Sequence, residues 1–322
     1  MEKNMDVLAL GELLIDFTEN GVSSQGNPIM EANPGGAPCN VLAMLSKLGH
    51  KAGFVGKIGR DIFGTQLKGA LAEVGIDMRG LVESDDVRTT LAFVHTLEGG
   101  DREFSFYRNP GADMMLSEDD IDGDYIGSAK IFHFGTLSMT HEGCRRATQK
   151  AIDIAKESGA VISFDPNIRE PLWDDLDTMR EQIMYGLSRC DILKISDNEI
   201  VWLTGEPDYE AGVRWIRDRF DISLILVSLG RDGSMAYSKS YKAVVAPFLQ
   251  ENTIETTGAG DTFGASVLHY VLENGLKDYT EAELEEMLIF ANAAASIITT
   301  RKGALRVMPT EAEVMELIKN NR

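Results

Sequence analysis

Residues 255–264 read Glu-Thr-Thr-Gly-Ala-Gly-Asp-Thr-Phe-Gly, and from there Phe263, Val267, Leu268 and Val271 recur on one helical face. A helix therefore opens directly after Gly258, Ala259 and Gly260. Small residues at a helix start let backbone N–H groups approach an anion closely, and the helix dipole adds to the attraction. A carboxylate placed there, Asp261, can take a proton from a substrate hydroxyl while the N–H groups hold a transferring phosphoryl group. Read alone, the segment equally fits a glycine-rich turn with an Asp near a helix N-terminus. The rest of the chain has to choose.

Outward from this segment, strand and helix patterns alternate. Asp6–Gly11 is a short apolar strand, and Pro38–Gly49 reads as a helix with Pro at its first position and Gly at its end. Gly53–Gly56 is a strand and Gly64–Gly75 a helix with Leu67, Leu71 and Val74 on one face. Arg145–Gly159 is a helix, followed by the strands Val161–Phe164, Asp191–Ile195 and Leu224–Ser228. Thr280 and Glu283 form a capping box that opens a helix running to about Thr299. Short apolar strands alternating with helices imply an α/β fold with a mostly parallel sheet covered on both faces. One region differs. Thr89–Leu97 and Arg102–Tyr107 are strands with only the turn Glu98–Asp101 between them, hence a β-hairpin. Ile29–Asn33 and the stretch after Asp16 are expected to pair with it. No linker or repeat divides the chain, so one domain with a lid is the simplest organisation.

The 322 residues carry a formal charge of −20. Such a surface repels nucleic acid and anionic membranes, and no apolar run approaches the roughly 20 residues of a membrane helix. Any phosphate site must draw its positive potential locally, from N–H groups, a few Arg or Lys, and Mg²⁺. Cys39, Cys144 and Cys190 are too few and too scattered for a disulfide framework or a metal site, which suits a reducing cytoplasm. Met1–Leu10 reads as a first strand, with no secretory signal.

Other phosphate motifs are missing. There is no Walker-A sequence, no G-x-G-x-x-G after the first strand and no protein-kinase signature, so a dinucleotide-binding dehydrogenase is disfavoured. A second glycine cluster does occur, Gly35-Gly36-Ala37-Pro38-Cys39-Asn40, whose Asn40 can donate to and accept from hydroxyls. Asp16 can bind a sugar diol. Gly56-x-x-Gly59-x-Asp61-x-x-Gly64 is a third cluster. Each also fits turn and cap chemistry by itself. Asp120, Asp122 and Asp124 mimic the start of a calcium loop but lack its Gly and distal Glu, and Ser117 with Asp120 reads as a helix cap.

Together, Gly35–Asn40, Gly56–Gly64 and Thr256–Phe263 resemble the two signatures of the ribokinase-like carbohydrate kinases, also called the PfkB family. The resemblance covers essentially the whole chain. It implies a Rossmann-like α/β/α sandwich with a small β-sheet lid. One kinase domain would span residues 1–322, with lid segments at approximately 12–34 and 87–112. By the resemblance Asp261 is the base, and Gly258, Ala259 and Gly260 form the anion hole. Asp16, Gly35, Gly36 and Asn40 match sugar-binding positions. Lys194, Ser228, Gly230 and Gly233 match nucleotide-binding positions, as do Gly258 and Gly260, and Asn292 falls near the adenine. ATP and Mg²⁺ are the implied cofactors.

The match is closer to the fructokinase branch, through Arg88–Phe93, Phe106–Asp113, Ile131–Gly135 and Asp165–Trp173. In that branch the residues matching Arg108 and Arg169 lie near the sugar and the phosphates. The implied reaction is ATP-dependent phosphorylation of a sugar primary hydroxyl, D-fructose first. A 2-keto-3-deoxygluconate kinase, ribose and nucleoside kinases, and an inactive sugar-responsive interaction protein are the rivals. The resemblance also implies a homodimer through the lid. Two positions depart from the family. Ser196 stands where an Asn is usual, three residues before Glu199, the residue expected to organise Mg²⁺ through water. Glu255 replaces an Asp that, with Thr257 and the stretch near Gly303, would hold a monovalent cation such as K⁺. Its longer side chain argues against that ion.

Overall fold

The computed structural model describes residues 3–96 and 102–321. In chain order the strands are β1 (Met5–Leu10), β2 (Leu14–Val22), β3 (Pro28–Gly35), β4 (Ala52–Gly59), β5 (Asp77–Ser84), β6 (Leu91–Thr96), β7 (Arg102–Tyr107), β8 (Ala129–Gly135), β9 (Val161–Asp165), β10 (Ile192–Ser196), β11 (Leu224–Ser228), β12 (Ser234–Tyr237) and β13 (Lys242–Val245). The α-helices are α1 (Ala37–Lys47), α2 (Ile62–Glu73), α3 (Gly123–Gly127), α4 (Glu142–Glu157), α5 (Leu176–Arg189), α6 (Asp197–Thr204), α7 (Tyr209–Arg217), α8 (Ala259–Asn274), α9 (Glu281–Ile298) and α10 (Glu311–Asn320).

Nine strands form one sheet in the order β13-β12-β11-β10-β9-β8-β1-β4-β5. It is parallel from β11 to β5, and β12 and β13 extend it antiparallel. The period-2 alternation of side chains explains the two-sided burial. Val7 and Ala9 of β1 join the core beneath α1, α2, α8, α9 and α10, whereas Leu8 and Leu10 join the core beneath α3 to α7. In β11, Leu224 and Leu226 divide from Ile225 and Val227 in the same way. The sandwich expected from the alternating pattern is thus present. No helix among the described residues is long and apolar enough to cross a membrane.

A second sheet has the order β3-β2-β6-β7. The strands flanking the expected hairpin turn do pair antiparallel, and β2 joins β6 in parallel and β3 antiparallel. The turn itself, Glu98–Asp101, lies outside the described residues. The strand starts at Leu91 rather than Thr89, because Asp61 claims Thr89 first: the Thr89 N–H donates to Asp61 Oδ2 and its hydroxyl to Oδ1, each at 2.9 Å. Asp61 also caps α2, accepting from the Gly64 N–H at 2.8 Å. Phe17 of β2 stacks on Phe93 of β6 and meets Phe63 of α2 edge-on, so the second sheet packs against α2. Helix starts also differ slightly from the sequence reading. α1 begins at Ala37 with Pro38 second, because Gly36 is the N-cap. α4 begins at Glu142, three residues early.

Candidate active site

The chain leaves the main sheet at the carboxyl end of β1 and enters the second sheet within a few residues, so the two sheets and the N-termini of α1 and α8 meet around one cavity of about 350 Å³. Open α/β sheets bind ligands at this carboxyl edge. At its floor α8 starts after Gly258, which has φ +75°, a conformation that suits glycine, and a Cβ there would come within 2.8 Å of the Ala304 methyl. No side chain caps α8. The Ala259 N–H bonds back to Thr256, and among the described residues the amides of Gly260 and Asp261 are left as donors at the helix start, where an anion is favoured.

Asp261 lines the same cavity. Its Oδ2 accepts from Asn40 Nδ2 at 2.8 Å, so α1 aims the carboxylate that α8 carries. Burial raises the Asp261 carboxyl above its ordinary range, against the opposing pull of the Asn40 hydrogen bond and of Lys194 and Arg169. The Asn40 Oδ1 atom is buried and has no protein partner, as a hydroxyl-binding position requires.

Lys194 reaches the cavity from β10. A Cβ at residue 260 would stand 3.2 Å from its Nζ, so Gly260 leaves room for the ammonium. Its Nζ bonds Asp165 Oδ2 at 2.9 Å. Burial alone would lower its pKa, but Asp165, Glu199 and Asp261 outweigh that and push it up to about 12. Burial pushes Asp165 up to about 6, opposed by Lys194 and reinforced by Glu199 and Asp261. A cation thus sits among three carboxylates, Asp165 buried and Glu199 and Asp261 half-buried.

The second sheet and the connection from β1 to β2 supply the other wall. Gly35 lies beside Asp16, whose Oδ2 would be 2.1 Å from any Cβ at 35, and Gly36 has φ +126° with the Glu12 carbonyl 2.4 Å from its Cβ position. Leu14, Val94 and Phe106 add apolar surface, and Arg169 and Asn33 add polar groups. The site residues Asp16, Gly35, Gly36, Asn40, Arg169, Lys194, Glu255, Thr257, Gly258, Gly260 and Asp261 all line this one cavity.

The others, Ala259 among them, do not, and three of these positions are held by partners elsewhere in the fold. Arg108 is spent inside the protein: Nε donates to Asp113 at 2.8 Å, Nη1 to Thr140 and Nη2 to the Leu137 carbonyl, each at 2.9 Å. Only 7% exposed, it braces the cavity wall from behind and does not line it. Asn292 likewise accepts from Ser234 Oγ at 2.8 Å and donates to the carbonyls of Val245 and Ala246 at 3.2 Å, which ties α9 to the β12–β13 edge and uses the amide that was expected near adenine. Glu199 and Ser196 form the capping box of α6, and Glu199 Oε1 also accepts from the Ile168 N–H at 2.8 Å. The substitution of Ser for Asn therefore makes a cap, and Glu199 anchors the segment that carries Asn167 and Arg169. Its carboxyl lies below its usual range, because Lys194 and these hydrogen bonds outweigh its burial.

Ser228, Gly230 and Gly233 sit beyond β10 on the same carboxyl edge, outside the cavity lining. Gly233 has φ +97° and the Val245 carbonyl 2.2 Å from its Cβ position, so only glycine fits that turn. At the proposed cation position Glu255 Oε1 accepts from the Gly303 N–H at 2.7 Å, so the longer side chain itself spans the two loops.

The model of the pfkB family carbohydrate kinases matches residues 4–311. The chain belongs to the pfkB family of carbohydrate kinases. Among its relatives is a protein called probable fructokinase-4 from Arabidopsis thaliana, 42% identical over 99% of this chain and 98% of that one. Among solved structures, fructokinase from Xylella fastidiosa with bound ATP superposes with a TM-score of 0.89 at 29% identity, covering 100% of this chain and 99% of the other. A double mutant of fructokinase from Vibrio cholerae O395, with fructose, ADP and potassium ion, gives 0.87 at 28%, covering 99% of each chain.

The sequence left several cavity groups without a role. Glu12 is 5% exposed, accepts from the Ala37 N–H at 2.9 Å and faces the cavity. Burial pushes its carboxyl up to about 7, against the pull of these hydrogen bonds. Asn167, at φ +45°, and Asp165 stand at the end of β9. Carboxylates directly after apolar strands, as in Gly11-Glu12 and Phe164-Asp165, were the available signal.

Proposed function

We propose that this pfkB-family kinase transfers the γ-phosphoryl group of ATP to the primary hydroxyl of D-fructose, giving fructose 6-phosphate. The observation that carries the reading is Asp261, held by Asn40 beside the amides of an α8 terminus that no side chain caps. Asn40 and Asp16 hold sugar hydroxyls. Asp261 accepts the proton of the attacking hydroxyl, while the Gly260 and Asp261 amides, Lys194 and Arg169 stabilise the transferring charge. The loop of Ser228, Gly230 and Gly233 takes the rest of the nucleotide. Among the described residues no three metal-ligating side chains converge at this cavity, which fits a hydrated Mg²⁺ carried by phosphates, with Asp165 and Glu199 acting through water. When bound, Mg²⁺ neutralises phosphate charge.

The second sheet serves as a lid of the single domain and excludes water from the transfer. Its strands expose Val22, Ile29 and Tyr107, at 67%, 45% and 67%, which supports a homodimer through this sheet. Sedimentation at high concentration showing only monomer would remove that assembly. Cys39, Cys144 and Cys190 are free and buried, which supports a cytoplasmic location. The Glu255 bridge holds its two loops together without an ion, so replacing K⁺ by a bulky organic cation is expected to change turnover little.

The test is ADP release with Mg-ATP against D-fructose, 2-keto-3-deoxygluconate, ribose, adenosine and glucose. Fructose turned over well above the rest supports the reading. Preference for the sugar acid keeps the mechanism and overturns the substrate. Burial of Arg108 already leaves Arg169 alone as a carboxylate clamp, which argues against that rival. No turnover on any of the five returns the chain to the inactive, sugar-responsive reading.

A further inference from the structure

α1 and α8 present Asn40 and Asp261 at their N-termini. A different cluster joins the same two helices further along. His50 follows α1, and His269 lies eight residues past Asp261 on α8, about 12 Å along the axis at 1.5 Å per residue. The His50 Nε2 and His269 Nδ1 atoms are 2.7 Å apart. A contact this short needs one ring to donate and the other to accept, so a lone pair faces the shared space. Glu273 follows His269 by one turn on the same face of α8. Ligand atoms of the three side chains lie within 4.8 Å of one another. None of the three lines the catalytic cavity.

We propose that His50, His269 and Glu273 form a binding site for a divalent transition-metal ion of the zinc class, separate from the catalytic cavity. Two imidazoles and one carboxylate are a zinc-type donor set, unlike the all-oxygen sets that Mg²⁺ and Ca²⁺ prefer. Tetrahedral bonds of about 2.0–2.2 Å place ligand atoms about 3.3 Å apart, so the two rings separate by several tenths of an ångström on binding. His50 is the partner able to move, since it lies in the short connection between α1 and β4, whereas His269 and Glu273 are fixed on one helix. The other ring nitrogen of His50 faces Asp6 Oδ2 at 4.0 Å, the place of an outer carboxylate that orients a ligating imidazole. Asp6 is itself held by the Lys51 N–H at 2.8 Å and by Lys130 Nζ at 2.7 Å. Glu273 is exposed, which opens the site to solvent and leaves a fourth position for water.

Zn²⁺ titrated into EDTA-treated full-length protein tests this, by calorimetry and by the histidine ring resonances of the wild type. We expect one saturable equivalent that moves the rings of His50 and His269 and leaves those of His133 and His141 in place. Glu273→Gln, an exposed change that spares folding, and His269→Gln each weaken binding by about tenfold or more. His141→Gln leaves it unchanged, and ADP release by His269→Gln stays at the wild-type level. Absence of saturable binding overturns the site. So does binding that is the same in Glu273→Gln and His269→Gln as in the wild type, which would reduce the cluster to a hydrogen-bonded histidine pair between two helices.

Discussion

Asp261 is suited to proton abstraction because burial raises its affinity for a proton while Asn40, Lys194 and Arg169 keep that rise in check. Asp261→Asn is expected to lower kcat by about 10²–10⁴ while fructose still binds, read by steady-state kinetics and sugar calorimetry. As the proposed base Asp261 must be ionised to act, so activity is expected to fall as pH drops through its raised pKa. Lys194→Gln removes one influence that holds this pKa down. The acid limb of the kcat/KM profile should therefore move to higher pH, and the KM for ATP should rise. A limb that stays in place would separate Lys194 from the base. Arg108 works differently, as half of a buried ion pair with Asp113. Arg108→Ala leaves that carboxylate buried and unpaired, at a cost of about 3–5 kcal/mol by urea unfolding. The double variant with Asp113→Ala should recover part of the loss. No recovery would mean that Arg108 acts elsewhere.

At the scale of elements, two helix starts and one sheet edge make the site. α8 has no side-chain cap where Thr280 and Glu283 form a capping box on α9, and the α8 start opens on the cavity. Asp61 couples the second sheet to the main body, since one carboxylate both caps α2 and holds Thr89 ahead of β6. Asp61→Ala is expected to cost about 1–2 kcal/mol by denaturant unfolding and to raise the fructose KM more than it lowers kcat. Hydrogen bonds from Thr89 and Gly64 hold the Asp61 carboxyl below its ordinary range despite some burial. Its contribution is therefore present at neutral pH and is lost as pH falls through that lowered value, so the wild type and Asp61→Ala should converge in stability in acid.

For the whole molecule, a charge of −20 opposes the approach of ATP, and Lys194, Arg169 and the amides at the α8 start are the local groups that attract it. Raising salt from low to physiological strength shortens the screening length to about 8 Å, so kcat/KM for ATP should rise, up to severalfold. A fall would mean that the site's own cations dominate the long-range field. The sequence by itself determined the layered α/β fold, because uninterrupted apolar strands and amphipathic helices admit few other arrangements. It also marked out the segment Gly258–Asp261 as the candidate reactive segment, because neighbouring residues dictate its local backbone geometry. The partners of long side chains were left to tertiary structure. Arg108 and Asn292 carry groups that suit ligands equally well, and only packing against Asp113 and the β12–β13 edge consumed them. β12 and β13 went unread because each has only four residues, too few for a clear alternation. Glu12 and Asn167 became cavity groups, and Asp165 the partner of Lys194, only when separate strands brought their carboxyl ends to one edge, and His50 met His269 only when α1 packed on α8. Proximity between residues far apart in the chain is a property of packing, and local pattern carries no record of it.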